Sequence, residues 1–247
     1  MKVSIITVTY NSASTIRDTL ESVAQQTYSN IEHIIIDGLS KDNTLEIVNE
    51  YPHVAKIISE SDKGIYDAMN KGIQYCTGEV IAILNSDDFY ASSAVIEDVV
   101  DEMKKYGVET LYGDLEYVNR NDLTKLVRKW RSNHYKKKNW LNGWMPPHPT
   151  FFVKKGVYER YGKFDLSLKS AADYELMLRF LYRHNVSTTY LPYVLVKMRT
   201  GGQSNVSIAN RYRANLEDRK AWKKNDLKPR FYTIFWKPIR KVIQYLK

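Results

Sequence analysis

The chain has 247 residues, 43% of them hydrophobic and 26% charged, the make-up of one sizeable globular domain with room for a small appendage. No apolar run approaches the roughly 20 residues needed to cross a bilayer, and the single cysteine, Cys76, excludes an intrachain disulfide. The net charge of +9 is unevenly spread: residues 1–100 hold 6 Lys and Arg against 15 Asp and Glu, and the remainder hold 31 against 13. An acidic half able to hold a cation is thus joined to a basic half able to meet phosphates, nucleic acid or an anionic membrane. Met1-Lys2-Val3-Ser4 runs straight into a strand-like segment without a small-residue cleavage site, which points to a cytoplasmic protein.

Residues 3–8 (V-S-I-I-T-V) are apolar and β-branched and predict a strand, closed by the polar turn Thr9-Tyr10-Asn11-Ser12. Ser12 or Ser14 can cap a helix whose apolar face is Ile16, Leu20, Val23 and Ala24. A second strand is expected over residues 31–36, ending at Asp37-Gly38. Asn43, with Glu46 three residues on, has the spacing of a capping box and opens a helix with Leu45 and Val48 inward. A short third strand over residues 56–59 precedes Ser61-Asp62-Lys63-Gly64. The next helix sets Ile65, Ala68, Met69, Gly72 and Ile73 on one face and stops at Gly78. Residues 80–84 (V-I-A-I-L) read as a strand buried on both faces. That run ends abruptly in Asn85-Ser86-Asp87-Asp88, and a helix follows over about residues 92–106. Strands alternating with helices in this way predict right-handed βαβ units and a mostly parallel sheet.

Beyond Tyr106 shorter strands are expected over residues 109–112, 115–118 and 125–130, including an antiparallel edge. Residues 131–148 lack periodicity and carry Lys136-Lys137-Lys138, Trp140, Trp144 and Pro146-Pro147; so long an irregular stretch in a compact domain is usually functional or mobile. Strand character returns at 149–154, a helix is expected over 174–182, and a late strand over 194–198 is broken by Gly201-Gly202. Residues 211–247 hold twelve Lys and Arg against three acids. There Phe231, Phe235, Ile239, Val242 and Leu246 recur at helical spacing, with Pro238 marking a kink or a new first turn. Such a segment suits an anionic membrane surface; it equally suits a helix packed back on the domain with a solvated basic face. Residues 1–205 are expected to form the main domain and 206–247 a basic amphipathic helical tail.

Polar clusters fall at the carboxyl ends of three predicted strands, where open α/β sheets bind ligands: Thr9-Tyr10-Asn11, Asp37, and Asp87-Asp88. The paired carboxylates offer hard oxygen ligands to Mg²⁺ or Mn²⁺, which keep part of their shell for substrate phosphates. Alternatively they cap the next helix, although Ser92 and Ser93 stand nearer its start. Asp37 can accept a hydrogen bond from a base N–H or a ribose hydroxyl, or be a plain turn residue. Neither G-x-x-x-x-G-K-[ST] nor G-x-G-x-x-G occurs, so the P-loop and dinucleotide readings fail. A nucleotide diphosphate would have to be held by a metal and scattered side chains.

Together V-S-I-I-T-V-T-Y-N, I-I-I-D-G-L-S-K-D-N-T, N-K-G-I, G-E-V-I-A-I-L-N-S-D-D and A-D-Y-E-L-M-L-R resemble a family-2 glycosyltransferase of the GT-A fold, a Rossmann-like nucleotide-diphospho-sugar transferase architecture, over roughly residues 1–200. The resemblance is to bacterial surface-polysaccharide enzymes of the colanic-acid type. It implies inverting transfer of a sugar from a nucleotide diphosphate, a UDP-sugar being favoured, with Mn²⁺ or Mg²⁺ on the diphosphate. By resemblance Val8 and Tyr10 pack the base, with Thr9 the backbone neighbour of those contacts, Asp37 hydrogen-bonds it, and Asp62 or Lys63 lies beside it. Asn85, standing at the first D-x-D position, and Ser86 approach the nucleotide-sugar, while Asp87 is the main metal ligand and Asp88 a supporting one. Asp173 matches the catalytic base, a carboxylate at a helix start that takes the proton of the attacking sugar hydroxyl; the alternatives are that it only caps that helix, or that Glu175 is the base. His148, Trp144 and Arg199 are candidate acceptor or diphosphate contacts, against purely structural roles for each. A lipid-linked saccharide is the implied acceptor, at the inner face of the cytoplasmic membrane.

Three other readings compete. A basic nucleic-acid-binding module would bind polynucleotide in a salt-sensitive way but leaves the acidic strand-end cluster and Asp173 without a task, so no nucleic acid partner is expected. A catalytically silent sugar-nucleotide-binding protein would keep the donor site and lose transfer. A nucleotidylyltransferase would need an N-terminal glycine-rich, basic phosphate loop, which is missing.

Overall fold

The computed structural model describes residues 1–201 and 208–233. Strands β1 (Val3–Thr9), β2 (Ile31–Asp37), β3 (Val54–Ser59) and β4 (Val80–Ile83) pair in parallel, with β1 between β2 and β4. Helices α1 (Ile16–Ala24), α2 (Thr44–Asn49) and α3 (Ile65–Tyr75) make the crossovers. After β5 (Asp88–Tyr90) and α4 (Val95–Tyr106) come β6 (Thr110–Val118), β7 (Leu126–Trp130), β8 (Phe152–Lys154) and α5 (Lys155–Tyr161). The described chain closes with α6 (Ala172–Met177), β9 (Thr188–Arg199) and α7 (Ile208–Lys224). The nine strands form one sheet in the order β3-β2-β1-β4-β8-β6-β9-β5, with β7 paired to β6. Strand β8 runs antiparallel to both its neighbours, and β5 antiparallel to β9. An α/β sheet with a parallel first half and an antiparallel element beyond it is the architecture the alternation predicts.

Alternate residues of β1 and β4 feed opposite cores. Ile6, Val8, Ile81 and Ile83 face a cluster that includes Met69 and Ile73 of α3, whereas Val3, Ile5, Val80 and Ala82 face α4. Burial on both faces is why these strands read as unbroken apolar runs. The first cluster continues through Trp140 and Trp144 to Tyr174 of α6 and to Ala221 and Trp222 of α7. Ala221 and Trp222 therefore pack this part of the basic C-terminal segment on the domain, while Phe231 is exposed; Phe235, Pro238, Ile239, Val242 and Leu246 lie outside the described residues.

Several local expectations are corrected. No side-chain cap forms at the start of α1, α2 or α4. Ser12 serves α1 through its carbonyl, and at α2 the Asp42 carboxylate accepts the Thr44 N–H at 3.1 Å in place of the Asn43–Glu46 box. Ala24 and Ile65, each at a helix end, are exposed. Residues 110–118 make one strand instead of two, held by nine partners in β9, and β9 itself begins at Thr188. The helix expected over 174–182 is α6 followed by a π-helical turn, Leu178–Arg183. His148–Thr150 forms a 3-10 turn ahead of β8, since two prolines cannot donate to a ladder.

Glycine 72 explains part of the N-K-G-I pattern: a Cβ there would stand 2.5 Å from Ile6 Cγ2, so α3 seats directly on β1. We predict that Gly72→Ala destabilises the fold by about 1–3 kcal/mol through overpacking, measured by urea denaturation. Ile6→Ala in the same chain should recover part of that loss; equal stability of Gly72→Ala and wild type would refute the close contact.

Candidate active site

The loops after β1 and β2 are stitched together by the polar residues of the second motif. Register pairs Thr9 with Asp37, and the Gly38 N–H donates to the Thr9 carbonyl at 2.9 Å. Asn11, in a left-handed conformation with φ 49°, donates its N–H to Ser40 Oγ and accepts the Lys41 N–H, both at 2.8 Å. Thr44 Oγ1 accepts the Ser12 N–H at 2.8 Å, and Asp42 accepts that of Ala13 at 3.0 Å. Tyr10 is thereby pushed out to 58% exposure at the rim. At Gly38 a Cβ would meet Asp62 Oδ2 at 2.6 Å and the Tyr10 ring at 3.5 Å, so Tyr10, Gly38 and Asp62 converge. Asp62 Oδ1 accepts the Gly64 N–H at 2.8 Å, which shapes the turn into α3. Lys63 beside it is exposed.

Asp37 differs from expectation. It is wholly buried and accepts hydrogen bonds from the Ser40 N–H (3.0 Å), the Ser40 hydroxyl and the Ser59 hydroxyl (2.6 Å). Its carboxylate ties the end of β2 to β3 and presents no open face to a base. Val8 is likewise a core residue and Thr9 is 5% exposed, because both lie inside the β1 ladder. Of that trio Tyr10 alone offers a surface.

Residues 85–88 form a turn closed by the Asp88 N–H donating to the Asn85 carbonyl at 3.0 Å. Ser86 Oγ lies 2.8 Å from Ser12 Oγ, which joins this turn to the β1 loop. Asp88 opens β5 and is completely buried, its Oδ2 accepting the Asn85 amide at 3.0 Å. It is thus neither a helix cap nor a group open to a cation, and its position behind the turn corrects its expected metal contact. Asp87 is only half-buried. Burial pushes its carboxyl up from the usual range, while the Arg199 and Arg120 cations pull it back. Asp88 is pushed well above that range by burial and then by the Asp87 charge. Arg199 is 3% exposed, pairs with Asp18, and donates to the Asp87 carbonyl at 2.7 Å. It braces the turn from beneath, where a phosphate could not reach it. Arg120, exposed on the loop after β6 and close to Gly201, is near enough for its charge to act on Asp87; no motif marks it.

Asp173 stands at the second position of α6 and is half-buried. The Tyr66 hydroxyl, from the first turn of α3, donates to its Oδ1 at 3.1 Å. Burial and the Asp173 charge push the Tyr66 phenol well above its usual range, so it stays a donor. Phe164 stacks on Tyr66 at 5.5 Å between centroids and meets His148 edge-on at 5.6 Å. Burial pushes His148 down while the charge of Asp173 opposes, which leaves the imidazole neutral at pH 7 beside the carboxylate. Glu175 is excluded as base: it is 4% exposed, and its oxygens take the Arg179 guanidinium and the Asn225 amide at 2.8–3.0 Å. Trp144 is 3% exposed, with its indole N–H on the Ser132 carbonyl at 2.8 Å and Trp140 edge-on to it. Both tryptophans pin the 131–148 segment to the core and offer no face to a sugar. Tyr66 escaped sequence reasoning; its only signal is a hydroxyl-bearing aromatic in the first turn after Asp62-Lys63-Gly64.

The Ser86–Ser12 contact links the Asp87 turn to the β1 loop, Tyr10, Gly38 and Asp62 converge beside it, and from the first turn of α3 Tyr66 reaches Asp173, whose charge is felt at His148. That arrangement can place a polar, phosphate-bearing ligand between one carboxylate suited to a cation and a second suited to a proton.

The family described as Glycosyl transferase family 2 matches residues 4–162. An uncharacterized glycosyltransferase of Mycobacterium tuberculosis is 33% identical over 181 residues, which is 72% of this chain and 68% of the relative. The Escherichia coli UDP-Glc:alpha-D-GlcNAc-diphosphoundecaprenol beta-1,3-glucosyltransferase WfgD is 30% identical over 209 residues, 83% of this chain and 79% of the relative. Among solved structures, S. aureus TarS in complex with UDP-GlcNAc aligns with a TM-score of 0.73 at 20% identity, covering 91% of this chain and 65% of that one. The mannosyltransferase PcManGT from Pyrobaculum calidifontis, in complex with GDP-Man and Mn²⁺, aligns at 0.66 and 21% identity, covering 99% of this chain and 69% of that one. The chain belongs to glycosyl transferase family 2 and is a glycosyltransferase of the GT-A fold.

Proposed function

We propose that this enzyme moves a sugar from a nucleotide diphosphate, a UDP-sugar in preference to others, to a hydroxyl of a lipid-linked saccharide, with inversion at the anomeric carbon. The observation that carries the reading is the Asp173 carboxylate held by the Tyr66 hydroxyl on the rim that also bears Asp87. WfgD is named for a UDP-Glc donor and a diphosphoundecaprenol acceptor, and TarS binds UDP-GlcNAc; both support the donor and acceptor classes. The product would enter bacterial surface polysaccharide.

In a single displacement the acceptor oxygen bonds to the anomeric carbon as the bond from that carbon to the diphosphate oxygen breaks. Asp173 takes the hydroxyl proton, and His148, neutral and adjacent, can orient the same hydroxyl. Tyr10 offers its ring to the base, with Asp62 beside it. Among the described residues no group of three or more His, Cys, Asp or Glu side chains is placed to hold a metal. The oxygen donors that are present fit Mn²⁺ or Mg²⁺, hard cations bound through one or two carboxylates plus substrate phosphates. Asp87 would hold such a cation, with Asn85 Oδ1, a buried oxygen lacking any hydrogen-bond partner among the described residues, on the same turn. When bound, it supplies neutralisation of the charge that builds on the leaving diphosphate.

A lipid-linked acceptor would place the enzyme on the cytoplasmic face of the membrane. No helix among the described residues is long and apolar enough to span it. Support for peripheral contact comes from Phe231, 89% exposed between the exposed Arg230 and the turn that Thr233 anchors to the Leu141 carbonyl.

Asp173→Asn should lower kcat by about 10²–10⁴-fold, the usual worth of a general base, while the Kd for UDP stays within about twofold. Full turnover in that variant would sink the assignment. Calorimetric titration with UDP, GDP and dTDP should show binding of one nucleotide with Mn²⁺ and its loss with EDTA. In Asp87→Asn the residual binding should no longer respond to the metal; binding of no nucleotide in the presence of Mn²⁺ would refute the donor site.

A further inference from the structure

Resting on Asp173 as the base, we propose that Glu217, on the C-terminal helix α7, is a positioning residue that sets the place of Asp173 in the acceptor site. The segment carrying Asp173 enters α6 without a cap of its own: Ala171 stands at the N-cap position and no side chain of the neighbourhood 171–173 satisfies the open amides. Glu217, on a distant element, instead holds the three amides that lead into the helix. Its Oε2 accepts the N–H groups of Ser170 and Ala171 at 2.7 and 3.1 Å, and its Oε1 accepts that of Lys169 at 3.1 Å. Three successive backbone donors on one carboxylate form a charge-assisted clamp, closed two residues before the base.

The rest of α7 and the turn after it complete the clamp. Trp222 donates its indole N–H to the Tyr174 hydroxyl at 2.9 Å, and Asn225 donates to Glu175 at 2.8 Å. Lys224 pairs with Asp165 at 2.7 Å. Residues on both sides of Asp173 are thus bonded to the C-terminal segment, whereas the Asp173 side chain is bonded to Tyr66 of α3. The charged and titratable groups facing it are Tyr66 from α3, His148 from the turn before β8 and, more remotely, Glu217, whose charge reaches Tyr66. The match to the family ends at residue 162, short of Glu217 and the segment that it holds.

A base acts only within about 2.6–3.2 Å of the proton it takes, and a misplacement of about 1 Å can cost about 10²-fold. Losing the clamp frees three amides and lets the loop before α6 move while the donor rim, built on β1 to β4, stays intact. The signature is therefore a loss in kcat without a loss in donor affinity.

The test measures UDP release from UDP-glucose and UDP-N-acetylglucosamine, with water and with GlcNAc-diphosphoundecaprenol as acceptors, and the Kd for UDP by calorimetry. Four full-chain variants are compared: Glu217→Ala, Glu217→Gln, Asp173→Asn and Val99→Ala. Val99 is fully buried in the α4 core, so its truncation reports loss of stability alone. Expected is a kcat reduced about 10- to 100-fold in Glu217→Ala with the UDP Kd within twofold. Glu217→Gln, which keeps one acceptor oxygen for Ser170 and Ala171, should recover most of the rate, and Val99→Ala should turn over like wild type below its melting temperature. Wild-type kcat in Glu217→Ala, with only its melting temperature lowered, would overturn the proposal. So would a Glu217→Gln variant as inactive as Asp173→Asn, which would make Glu217 a reacting group. Full activity in Asp173→Asn would instead remove the base assignment itself, an outcome separable from the other two.

Discussion

Strand β1 is the constraint on which the site depends. It is buried on both faces and hydrogen-bonded in parallel to β2 on one side and β4 on the other, in a register that pairs Val3 with both Ile31 and Val80. Parallel pairing delivers the carboxyl ends of all three strands to one edge, so Tyr10, Gly38 and the Asn85–Asp88 turn meet there without a dedicated scaffold. A one-residue slip of β1 would exchange its two core faces and carry the loop away from its partners. The apolar periodicity that forbids the slip is therefore also what holds the rim in register.

On that edge the polar residues divide into those that build and those that face outward. Asp37, Asp42, Ser40 and Thr44 spend their hydrogen-bonding capacity on backbone amides and one another, and Asp88 is buried against the Asn85 side-chain amide. Tyr10, Asp62, Asp87 and Arg120 remain toward solvent. The electrostatics follow the same division. Asp88 is kept from ionising easily by burial and by its neighbour, and Arg199, enclosed between Asp18 and the Asp87 carbonyl, moderates the charge of the turn from beneath. A cation in front of Asp87 would complete what Arg199 begins behind it, since opposite charges on two sides of a carboxylate both favour its ionised form.

The surroundings of Asp173 are assembled differently. Asp173 comes from a short helix late in the chain, and its surroundings are contributed by α3, by the 3-10 turn His148–Thr150 and by α7. Each contact spans between 25 and 107 positions of sequence where the structure records a hydrogen bond or charge effect between Asp173, Tyr66 and His148. Tryptophans 140, 144 and 222 supply the rigid apolar wall behind this side, and the 131–148 segment is ordered by that wall despite having no periodicity of its own.

Much of the β1–β4 half was legible because its signals are local. The unbroken apolar runs of β1 and β4, the apolar face of α3 and the run of β-branched residues from Ile34 to Ile36 each act within one element. The motif residues of the rim also announced themselves, yet their tasks did not: Asp37, Asp88, Arg199 and Trp144 have the chemistry of ligand-binding groups and are enclosed. A residue type states what a side chain can bond, while burial decides what it does bond, and burial is a property of the packed chain. Tyr66 and Glu217 show the converse, ordinary helical residues given significance by what lies opposite them. The sequence by itself determined the α/β alternation, the parallel half of the sheet and the family. Only the tertiary structure decided which carboxylates remain open and which partners hold Asp173, because those depend on contacts between segments that no local pattern connects.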